Sequence, residues 1–139
     1  MVYFGSYDGK LYALDARTGA FKWSYLTGGI IKSSPAVANG VVYVGSYDGK
    51  LYALDARTGA WKWDYNTGLA IDSSSPAVAN GVIYVGTYNF FLYALDASTG
   101  DFKWSYLTGG EVRSSPAVVN GVVYFGSFDS KLYAFSLAP

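Results

Sequence analysis

Four ionisable side chains, Lys32, Asp72, Glu111 and Arg113, stand just ahead of matching strands in a chain that otherwise repeats itself. Two cations and two carboxylates at one level could hold a polar ligand or peptide of mixed charge. They could equally be solvated ion pairs worth about 0–1 kcal/mol each. Catalysis asks for more than this. The 139 residues contain no His and no Cys, which removes the usual general base, the commonest metal ligand and the thiolate nucleophile. Ser33, Ser34 and their cognates have no base in the sequence to activate them. A hard-cation site needs several converging oxygens, yet Glu111 is the single Glu and the Asp residues are scattered. No phosphate-cradling G-x-x-x-x-G-K run occurs. Catalytic residues, metal ligands and a bound cofactor are therefore all expected to be absent.

The elements that must position these charges come from a repeat. Val2, Val42, Ile83 and Val123 are 40, 41 and 40 residues apart, the extra residue being one Ser in the run Ser73, Ser74, Ser75. The units run over about 2–41, 42–82, 83–122 and a truncated 123–139. Each full unit reads as four short strands, exemplified by 34–38, 41–47, 50–55 and 60–65, with Asn39-Gly40 and Asp48-Gly49 as turns. Aromatics alternating with polar residues at period two, as in Ala60 to Tyr65, argue strand, and no segment has helical periodicity. Asp48-Gly49 suits a type I′ hairpin with two positive-φ residues. About 40 residues and four antiparallel strands per unit predict an all-β propeller blade, about three and a half per chain. Tyr43, Tyr52 and Tyr84 are expected to line the blade cores. Zero net charge, with ten basic and ten acidic residues spread singly, offers no footprint for nucleic acid. No apolar stretch is long enough to span a bilayer as a helix, and Met1 leads directly into strand residues, so neither a membrane span nor a signal peptide is expected. The compartment stays unread.

Within the repeat, A-x-D-x-x-T-G-x-x-x-W recurs at residues 13–23, 53–63 and 94–104. This motif resembles the tryptophan-docking motif of the PQQ-like (quinoprotein-type, BamB-like) propeller repeats, over essentially the whole chain. The resemblance implies that Trp23, Trp63 and Trp104 insert between neighbouring blades. Gly19, Gly59 and Gly100 are read as left-handed turn residues, and Asp15, Asp55 and Asp96 as acceptors for turn N–H groups. The family includes quinone-dependent dehydrogenases, which hold their cofactor with a calcium ion and often a vicinal Cys pair; no matching residues exist here.

In sequence order the strands run bcd, abcd, abcd, abc, so four blade positions are started and the outer two are incomplete. Four such blades are expected to curve too little to close, and two chains would supply eight, making a homodimeric ring. The loops between strands d and a, and Asn89, Phe90 and Phe91 in place of Asp-Gly-Lys, vary most between repeats. Phe90 and Phe91 therefore join the four charged residues as candidate ligand or partner contacts. The expected role is a non-catalytic binding or assembly scaffold. A fragment or designed, amplified repeat without a ligand, and a dehydrogenase remnant, are the alternatives.

Overall fold

The computed structural model describes residues 1–137, and these form fourteen strands and no helix. β1 (Val2–Gly5), β2 (Lys10–Leu14) and β3 (Phe21–Leu26) make the first sheet. β4 (Ala36–Ala38), β5 (Val41–Gly45), β6 (Lys50–Asp55) and β7 (Trp61–Asn66) make the second. β8 (Ala77–Ala79), β9 (Val82–Gly86), β10 (Phe91–Asp96) and β11 (Phe102–Leu107) make the third. β12 (Ala117–Val119), β13 (Val122–Ser127) and β14 (Lys131–Ser136) make the fourth. Every pairing is an antiparallel meander, so each sheet is a blade and its strands run inner to outer in chain order.

Successive side chains of a strand point to opposite faces, and in the second and third blades both faces are buried and apolar because each packs against two neighbours. Val42, Val44, Tyr52 and Leu54 of the second blade meet Leu11, Ala13 and Trp23 of the first. On its other face Tyr43, Leu51, Ala53 and Trp63 meet Ile83, Val85 and Leu95 of the third blade. The third core joins Tyr84, Leu92 and Ala94 to Val123 and Phe125. The cores therefore lie between blades, and a strand such as β5 reads as an almost continuous apolar run.

Strand ends and one turn differ from the sequence expectation. The inner strands begin at Ala36, Ala77 and Ala117, one residue after a proline each time, because proline has no N–H to give the ladder. The type I′ turn sits at Asn39-Gly40, where both φ angles are positive (50° and 74°). At Asp48-Gly49 only the glycine is left-handed (87°). Gly49 N closes the turn on Ser46 O at 3.1 Å, while the Asp48 carboxylate accepts from Lys50 N at 2.9 Å and Tyr52 Oη at 2.5 Å. These bonds hold Asp48 in an ordinary backbone region, giving a type I turn followed by one left-handed residue.

The blades are joined in two places. On the outside, Trp23 Nε1 donates to Ala56 O at 3.2 Å and Trp63 Nε1 to Ala97 O at 3.3 Å. The rings lie flat on glycines: a Cβ added to Gly59 would stand 2.6 Å from Trp23 Cε3, and one added to Gly100 2.5 Å from Trp63 Cε3. These glycines and Gly19 have φ between 73° and 79°. Ahead of each, Asp15, Asp55 and Asp96 accept two turn N–H bonds through Oδ1 at 2.9–3.1 Å. Burying one indole contributes roughly 4–6 kcal/mol gross, an upper limit. On the inside, where β8 lies between β4 and β12, Ser34 N donates to Ser75 Oγ at 2.9 Å and Ser75 N to Ser115 Oγ at 3.0 Å. The serines that could have suggested nucleophiles are thus the inter-blade joints.

Candidate functional site

The segments that lead from an outer strand to the next inner strand bring Lys32, Asp72 and Arg113 to one rim, one residue from each of three successive links. The ends of the second strands bring aromatics to the same rim: Tyr7 after β1, Tyr47 after β5, Tyr88 after β9 and Phe128 after β13. Charges and rings alternate around the arc. Lys32 Nζ lies 5.8 Å from the Tyr7 ring centroid and 4.9 Å from that of Tyr47. The Arg113 guanidinium lies 4.7 Å from Tyr88 and 4.6 Å from Phe128.

Asp72 is the centre of this rim. Its side chain is 5% exposed, and its carboxylate faces Lys32 Nζ at 3.1 Å on one side and Arg113 Nε at 3.7 Å on the other. Tyr47 Oη donates to it at 2.7 Å and lies 3.1 Å from Tyr88 Oη. Arg113 Nε also donates to Glu111 Oε2 at 2.7 Å. Burial alone would push the Asp72 carboxyl up, but hydrogen bonds from Tyr47, Lys32 and Tyr88 hold it below its ordinary value. The bond to Tyr47, then that to Asp72, raises the Lys32 ammonium above its usual range. Tyr88 is raised chiefly by its bond with Tyr47. Tyr47 and Lys32 both contact Asp72 Oδ1, while Oδ2 faces Arg113. The rim can present cations, rings and hydroxyls to a partner. Among the described residues no cluster of three or more His, Cys, Asp or Glu could hold a metal ion.

Lys32, Asp72, Glu111 and Arg113 thus come together, whereas Phe90 and Phe91 stand apart from them. Phe90 is half-exposed with φ of 75°, in the left-handed place that Gly9 and Gly49 hold in the first two repeats and Ser130 in the fourth. Its carbonyl accepts from Thr108 N at 2.8 Å, and Phe91 packs on Tyr93 with centroids 5.6 Å apart. Sequence reasoning missed Tyr47 and Tyr88. The signal was one aromatic immediately before the turn in every unit, at residues 7, 47, 88 and 128.

Four antiparallel blades fanned side by side, with cores between them and indoles against the next blade's turn, define a β-propeller of PQQ-like repeats. The chain belongs to the family described as outer membrane protein assembly factor BamB, whose profile matches residues 1–71 and again residues 66–138. It is similar to the crystal structure of BamB from Moraxella catarrhalis, with 29% identity and a TM-score of 0.86, covering 97% of this chain and 42% of that one. Quinohemoprotein alcohol dehydrogenase from Comamonas testosteroni shares 25% identity at a TM-score of 0.80, over 90% of this chain and 27% of that one. The computationally designed Ika4 protein has the same fold, with a TM-score of 0.84 at 17% identity, over 98% of this chain and 84% of that one. No curated protein sequence matches the chain. The chain spans less than half the length of the BamB and dehydrogenase structures. No helix among the described residues is long and apolar enough to cross a membrane.

Proposed function

We infer that the chain is a rigid, non-catalytic scaffold that completes its propeller with a second copy of itself. One observation carries this reading: the two end faces match by the rule the interior obeys. The forward face of the fourth blade presents Tyr124, Leu132 and Ala134, the counterparts of Tyr43, Leu51 and Ala53. The backward face of the first blade presents Val2, Phe4, Tyr12 and Leu14, the counterparts of Ile83, Val85, Tyr93 and Leu95. Leu132 is 75% exposed where Leu11, Leu51 and Leu92 are wholly buried, and Val2 and Phe4 are 45% and 42% exposed where Val42 and Val44 are buried. Apolar faces of this kind need a partner. A second copy head to tail supplies each face with its complement twice, around a two-fold axis.

Family membership and the alternating rim support an assembly role, with Lys32, Asp72, Glu111 and Arg113 framing a surface for a polar peptide or protein. The single Glu and the missing Cys and His argue against a retained quinone and calcium site. Light scattering tests the reading directly. The expected mass is twice the 15.0 kDa of one chain; a monomer at micromolar concentration would count decisively against closure by a second copy.

A further inference from the structure

We propose that the cleft between the second and third blades binds an acidic sugar unit, a hexuronate. Its carboxylate meets Lys62, and its hydroxyls meet the amides of Asn39 and Asn80. The cleft holds about 430 Å³ and is lined by these three residues, Lys103, Val41 and Val82 among others. A volume of this order suits a small ligand. The site lies at the ends of the sheets opposite the charged rim. It is built only from the two four-stranded blades, so it depends neither on ring closure nor on the assembly role. A difference between repeats marks it. The first two motifs carry Arg17 and Arg57 after Asp-Ala, whereas the third carries Ser98, a short side chain in the cleft wall.

The walls are fixed before any ligand arrives, which lowers the cost of binding. Ala97 ties the two blades together: its N–H donates to Gly81 O at 2.9 Å, and its carbonyl accepts from Tyr43 Oη at 2.9 Å and Trp63 Nε1 at 3.3 Å. Trp63 at this junction is 7% exposed, whereas Trp104 at the next is half-buried. Asn39 and Asn80 are exposed in left-handed turns, each with φ of 50°. Neither amide has a hydrogen-bond partner among the described residues. Each can both donate and accept, as a hydroxyl does. The charges of the cleft do not cancel. Asp96 Oδ1 accepts from Ser98 Oγ at 2.7 Å and Oδ2 faces Lys103 Nζ at 3.6 Å; the bonds from Ser98 hold its carboxyl down at about 2. Lys62 is in no ion pair among the described residues and acts on Asp55 only at longer range. One cation is left over for one carboxylate. Half-buried Val41 and Val82 offer a floor for the C–H face of a pyranose. A neutral sugar would leave Lys62 unanswered, and a bare carboxylate would leave the two amides so; a hexuronate engages all three.

The test adds D-galacturonate or D-glucuronate to the 139-residue chain at up to about 10 mM, read by backbone amide NMR. D-galactose, D-glucose and acetate are the comparisons. Saturable shifts are expected with at least one uronate at Gly40, Gly81, Ala97 and Ser98, and not at Tyr47 or Tyr88 of the rim. The matching neutral sugar and acetate are expected to bind about fivefold or more weakly. A chain carrying Asn39→Gly and Asn80→Gly keeps both left-handed turns but loses both amides, and should bind the uronate about fivefold or more weakly. Lys62→Gln should weaken it about threefold. No shift with either uronate, equal binding of the neutral sugar or acetate, or shifts centred on the rim would each overturn the proposal. So would uronate binding that neither variant weakens.

Discussion

At the scale of single residues, geometry separates glycines that one sequence pattern makes look alike. Gly100 and Gly81 both have positive φ, 79° and 75°, but only Gly100 carries an indole within contact of the missing Cβ. Gly81→Ala is expected to cost about 1 kcal/mol, the backbone term alone. Gly100→Ala is expected to cost about 2–4 kcal/mol, because overpacking adds to it. Guanidinium unfolding midpoints of the two variants measure the difference. Asp72 gives a prediction with a defined sign. Its folded carboxyl titrates below the ordinary 3.8, so its stabilising contribution is fully present above that value and is lost as the pH falls through the folded value. The stability gap between the native chain and Asp72→Asn should hold at neutral pH and shrink below about pH 4, as followed by denaturation at each pH. The four rim charges were legible because they differ between repeats. Tyr47 and Tyr88 were not, because a residue that recurs in every unit reads as scaffold, and only packing shows it bonded to Asp72. The Asp48 turn was misread for a physical reason: its carboxylate captures Lys50 N and Tyr52 Oη, bonds that a dipeptide signal does not contain.

At the scale of elements, the three docking tryptophans share a motif but not an environment. Trp63→Ala is expected to cost about 3–5 kcal/mol. Trp104→Ala should cost roughly half as much, since its ring is already half in water. Thermal unfolding of the two variants decides it; equal costs would mean that Trp104 is as enclosed in solution as Trp63. Strand identities were readable because β5, β9 and β13 are short apolar runs bounded by Asn-Gly and aromatic turns. The starts of the inner strands β4, β8 and β12 were less so, since Pro35, Pro76 and Pro116 hold the ladder back to the residue after each. That both faces of the second and third blades are buried follows from neighbours the strand itself cannot announce.

For the whole molecule, the end faces make a prediction that separates folding from assembly. Leu92→Glu places a charge in a closed core and is expected to prevent folding. Leu132→Glu should leave the unfolding of the isolated chain nearly unchanged while halving the mass seen by light scattering. A Leu132→Glu chain that keeps the dimer mass would show that the blades meet elsewhere. The number of blades is not written in any repeat, because curvature is set by how one blade leans on the next. The inner serines make the same point in another way. Ser34 N reaches Ser75 Oγ and Ser75 N reaches Ser115 Oγ, the same donor and the same acceptor at successive joints. A chain linked so behaves like a polymer of directional monomers: a unit can be spliced in or out and each remaining linkage stays chemically identical. Recombination could thus lengthen or shorten such a gene freely, with toroidal geometry alone deciding which lengths survive.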